Sequence, residues 1–79
     1  MEPLSENQQA GVADGLSQRE EIVLALASRG MTNRQIADQL AVSIHGVKFH
    51  LASVFRKLGV ENRTAAAAIY LNSRHSTIE

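Results

Sequence analysis

Read for its apolar positions, the chain divides into one stretch without period and four stretches with the period of a helix. Residues 1–15, "MEPLSENQQAGVADG", mix Pro, Gly, Ser, amides and acids with no repeating apolar position, which predicts a tail or linker. Beyond it, Ser17 and Glu20 have the spacing of a capping box, so a helix is expected from Gln18. Ile22, Val23, Leu26 and Ala27 then fall on one helical face, and Gly30 supplies a stop. Thr32 with Gln35 repeats the box and opens a short helix through Leu40, with Ile36, Ala37 and Leu40 inward. Ser43 can cap a third helix. There Val47, Leu51, Val54 and Leu58 stand at i, i+4, i+7 and i+11, with Phe55 joining them, and Gly59 ends it. Asn62 can cap a fourth through "RTAAAAIYLN", whose alanines favour helix. With no alternating β-branched run, the expectation is an all-α domain of four helices over residues 16–74, with a second tail at 75–79.

The second and third of these helices are separated by about three residues, a spacing that suits a helix-turn-helix. Such a pair needs a small residue where the backbones cross, and Ala37 is small. It needs apolar residues around the turn, which Ile36, Leu40, Val42 and Val47 supply. Its second helix must keep one face for a groove of DNA. His45, Lys48, Phe49, Ala52 and Arg56 project away from the Val47–Leu58 stripe.

Charge sharpens this picture, although the total conceals it. Eight basic and eight acidic residues cancel, a balance that alone argues against a nucleic-acid partner. The two signs are segregated, however. Residues 1–21 hold Glu2, Glu6, Asp14, Glu20 and Glu21 against Arg19, whereas residues 44–64 hold Lys48, Arg56, Lys57 and Arg63 against Glu61, with His45 and His50 besides. The lack of cysteine excludes a disulfide framework, a thiolate metal site and a cysteine nucleophile, and fits a cytoplasmic setting. The three histidines are not at metal-ligand spacing, and no Gly-rich phosphate loop appears, so no enzyme, cofactor or metal is expected. No apolar run approaches the ~20 residues of a membrane span, and the acidic N-terminus is not a secretory signal.

The ordered series "LSQRE", "TNRQIA", "VKFH" and "RKLGVENRTAA" closely resembles the LuxR-type helix-turn-helix domain over roughly residues 16–70. The resemblance implies a four-helix bacterial DNA-binding domain whose third helix, about 44–58, enters the major groove and whose fourth pairs with a twin. Such domains typically follow a receiver or small-molecule sensor domain, and a small stand-alone regulator is the alternative. Two positions depart from the family pattern. Ala41 stands where a turn glycine is usual, and Gly46 where Thr is usual, which removes a phosphate-contact candidate and weakens the helix start by up to ~1 kcal/mol.

Carried over by position, the resemblance implies base-edge contacts from Lys48, Phe49 and Ala52, with Ser53 next on the same face. Lys48 would donate to guanine and Phe49 would meet a thymine methyl. Phosphate candidates are Thr32, Asn33 and Arg34 at the second helix's N-terminus, together with His45, His50, Arg56, Lys57 and Arg63. The bland readings stand beside these: solvated charge for the cations, a packing histidine for His50, a core aromatic for Phe49. Ala65, Ala66, Ala68, Ile69 and Tyr70 are the dimerisation candidates, although the same Ala-rich helix could pack on helix one. The implied partners are double-stranded DNA and a second copy, with RNA polymerase a further one. Two alternatives remain open: a helical protein-interaction module, and a DNA-binding domain like region four of a sigma factor.

Overall fold

A computed structural model describes residues 15–78, so the expected N-terminal tail, Gly15 apart, lies outside the described residues. Four helices follow in chain order: α1 (Gln18–Ser28), α2 (Asn33–Leu40), α3 (Ile44–Leu58) and α4 (Arg63–Ile78). No strand occurs among the described residues. The starts are set by local hydrogen bonds. Ser17 Oγ accepts from Glu20 N at 3.1 Å while the Glu20 carboxylate accepts from Ser17 N at 2.9 Å. Thr32 and Gln35 make the same exchange at 3.1 and 2.8 Å. Ser43 Oγ accepts from Gly46 N, and Asn62 Oδ1 from Ala65 N. Each satisfies a helix-end donor that would otherwise lack a partner.

The turn between α2 and α3 carries a backbone cost. Ala41, the C-cap of α2, sits in the left-handed region at φ 59°, ψ 44°, the one non-glycine residue with positive φ among those described. The clash of Cβ with the following carbonyl makes this conformation unfavourable for alanine, by roughly 1–2 kcal/mol. A glycine here, with no Cβ, would avoid it.

Helix α1 lies at the centre and packs against all three others. One cluster joins Val23, Leu26 and Ala27 to Ile36 and Ala37 of α2 and to Val47 and Leu51 of α3. The other joins Leu16 and Leu24 to Val54 of α3 and Ala66 of α4, and Phe55 packs against both. Because α1 is covered on several sides, its buried arc is wider than one stripe and turned toward α4. Leu24 is therefore buried, and Ile22, expected inward, is exposed. At the other end of the chain α4 continues past residue 74, so the tail expected at 75–79 is helical through Ile78.

Candidate nucleic-acid interface

The α3 helix is long enough to have a closed face and an open one. Val47, Leu51 and Val54 are buried, and Leu58 is half-buried on the same side. On the far side His45, Lys48, Phe49, Ala52 and Arg56 are all exposed, a continuous row at i, i+3, i+4, i+7 and i+11. Phe49 is 69% exposed, so it is an aromatic held in water and no part of the core. Its ring meets the half-buried His50 edge to face, with centroids 5.7 Å apart.

Beside this row the structure corrects the expectation for Ser53. Its side chain is buried, and Oγ donates to Glu20 Oε2 at 2.6 Å. Ser53 lies 100° around the helix from Ala52, which turns it toward the N-terminus of α1 and away from any base. Glu20 also accepts from Lys57 Nζ at 2.9 and 3.3 Å, and Lys57 reaches the Gly15 carbonyl as well. Burial alone would raise the Glu20 carboxyl. Hydrogen bonds from Ser53, the Ser17 N–H and Lys57, together with the Lys57 charge, more than offset this and lower it from 4.5 to about 2. Lys57, expected on a phosphate, is thus the ion-pair partner of a buried carboxylate. Arg56, one residue back, reaches Ser53 Oγ only at 3.4 Å and stays exposed.

Arg63 is corrected in the same sense. Its guanidinium donates to the Met31 carbonyl and to Asn33 Oδ1, which fastens the start of α4 to the α1–α2 connection. Asn33 is engaged by the same bond. Arg34 is exposed at the start of α2, and Thr32 holds its cap through an oxygen lone pair while the residue stays exposed. His45 is exposed close to the cap of α3. The exposed basic candidates are therefore Arg34 at the start of α2 and His45, Lys48 and Arg56 on the open row of α3. Lys57 and Arg63 are engaged within the domain, by Glu20 and by Met31 and Asn33.

On α4, Ala66 is buried against Leu24 and Val54, and Tyr70 packs on the same cluster, so neither forms an outward face. Ala65 and Ile69 are half-buried, and Ala68 is exposed. The outward face is Thr64, Ala68 and Leu71, at i, i+4 and i+7, with Leu71 51% exposed. Leu71 was legible from its three-residue spacing to Ala68. Glu20 as the anchor of α3 was not, because the sequence shows only its capping role.

Comparison with known proteins agrees with this fold. A family model described as "Bacterial regulatory proteins, luxR family" matches residues 14–70. The chain is 41% identical over 59 residues to the probable transcriptional regulatory protein SgaR of Hyphomicrobium methylovorum, which covers 75% of this chain and 28% of that protein. It spans under a third of the length of the curated relatives it matches. A chain in the crystal structure of the anti-activator RapF complexed with the response regulator ComA DNA-binding domain is 40% identical, with a TM-score of 0.67. That match covers 70% of this chain and 95% of the other. The response regulator ChrA of a heme-sensing two-component system is 37% identical with a TM-score of 0.72, over 91% of this chain and 36% of that one.

Proposed function

Since the chain belongs to the luxR family of bacterial regulatory proteins, a family of DNA-binding transcription regulators, we propose that it binds double-stranded DNA sequence-specifically with α3 in the major groove. The observation that carries this is the open row of α3. A large aromatic at 69% exposure, flanked by His45, Lys48 and Arg56, stands opposite the buried Val47, Leu51 and Val54, as expected of a helix held for an external groove. In this reading Lys48, Phe49 and Ala52 meet base edges. Arg34, His45 and Arg56, with the Thr32 hydroxyl and the N-terminus of α2, meet phosphates. The protein works in the cytoplasm, where it regulates transcription by RNA polymerase.

Binding as a pair through the outward face of α4 completes the proposal. Thr64 and Ala68 are small enough for close helix approach, and Leu71 supplies apolar area. Two copies would then address half-sites about one helical turn, ~34 Å, apart.

The second reading, a helical protein-interaction module, draws on the apolar character of Phe49 and Ala52. One experiment separates the two. Duplexes bound by the chain are selected from a random pool and then titrated at two salt concentrations. The expected result is a symmetric pair of half-sites and an affinity that falls steeply with salt. Absence of affinity for any duplex at low salt would remove the DNA reading and leave the module. A selected sequence with one half-site would remove the dimer alone.

A further inference from the structure

The centre of the open row is poor in hydrogen-bonding groups. Phe49 and Ala52 are both exposed and three residues apart, which places them ~4.5 Å apart along the α3 axis. That separation is close to the ~3.4 Å between successive base pairs. Lys48 is the adjacent donor, while His45 and Arg56 lie one turn to either side. The edge-to-face contact with His50 supports the Phe49 ring from the protein side. In the major groove a base edge presents donors, acceptors and a single kind of apolar group, the C5-methyl of thymine, which 5-methylcytosine also carries. A ring or a methyl placed on donors and acceptors leaves them unpaired and desolvated, an unfavourable exchange.

We propose that α3 reads its operator chiefly through C5-methyl groups, with Phe49 and Ala52 covering methyl-bearing pyrimidines at neighbouring base pairs and Lys48 a flanking guanine. This rests on the DNA reading above and extends the thymine contact expected of Phe49 to Ala52, to a neighbouring base pair and to 5-methylcytosine.

The test uses the duplex selected from the random pool, resynthesised with each thymine in turn replaced by deoxyuridine, which removes the methyl alone. Two neighbouring positions should each weaken binding about fourfold, the effect of returning one methyl-sized group to water, and the others should be neutral. Cytosine at either sensitive position should bind more weakly still, and 5-methylcytosine there should recover about fourfold. Phe49→Ala should make one of the two positions insensitive to uracil. Its circular dichroism should match that of the parent protein, because the ring packs in neither core cluster. A duplex bound tightly but with a flat uracil scan overturns the inference while leaving DNA binding intact. Uracil sensitivity retained in full by Phe49→Ala overturns the role of that ring. If no duplex binds at low salt, the DNA reading fails and this inference fails with it.

Discussion

At the start of α1, Ser17 and Glu20 exchange hydrogen bonds of 3.1 and 2.9 Å; at the start of α2, Thr32 and Gln35 exchange bonds of 3.1 and 2.8 Å. Judged locally, the two capping boxes are equivalent. Gln35 is exposed and its side chain goes no further. Glu20 is 7% exposed, and its carboxylate also takes the Ser53 hydroxyl and the Lys57 ammonium of α3. One box therefore only starts a helix, while the other also fastens α3 to the rest of the domain. The difference shows that a local motif acquires a tertiary role only through what docks against it.

The largest test of this contrast is truncation. Glu20→Ala should lower stability by about 3 kcal/mol in urea unfolding, since it strips a buried hydroxyl and an ammonium of their shared partner. Gln35→Ala should cost no more than about 1 kcal/mol, the scale of an exposed cap. Equal losses would erase the distinction.

Acid supplies a comparable effect by another route. The Glu20 carboxyl sits at about 2 in the folded state, below its ordinary 4.5. Its contribution is therefore present above about pH 4.5 and lost as pH falls toward 2, at about 3 kcal/mol for a shift of that size. Glu20→Gln should flatten that part of the stability profile. A profile as steep in Glu20→Gln as in the parent would show that other groups carry it.

A smaller effect separates two lysines on one helix. Lys57→Ala should lower stability by up to about 1 kcal/mol, reduced because its side chain is 38% exposed. Lys48→Ala should leave stability within about 0.5 kcal/mol and weaken specific DNA binding more than nonspecific binding. Reversed results would exchange their roles.

The smallest change concerns the turn. Ala41→Gly should raise stability by about 0.5–1 kcal/mol, relief of the left-handed strain less the added freedom of the unfolded chain. A loss of stability would show that the turn is not strained.

Most of the fold was legible because its signals are local. A cap acts on an amide three residues away, and the Val47–Leu58 stripe repeats every turn, so neither depends on distant chain. The closing of α1 and α3 by Gly30 and Gly59 was readable for the same reason. Errors gathered where a residue's surroundings come from another element. Ile22 and Leu24 exchanged places because α1 packs on three helices at once, which widens and rotates its buried arc. Ser53 was grouped with Ala52 as a base contact, although the N-terminus of α1 covers one and leaves the other open.

The sequence by itself determined four helices, their starts, and an α3 with one apolar face and a row of His45, Lys48, Phe49, Ala52 and Arg56 opposite it. Only the tertiary structure decided which polar residues at the margins remain available for a partner. Ser53 and Lys57 are engaged by Glu20 across 33 and 37 residues of chain, and Arg63 by Asn33 across 30. Ala66, one of four successive alanines, is the one buried. Such pairings depend on the angles and distances at which helices dock, which are set by the whole core and not by the spacing of residues along any one helix.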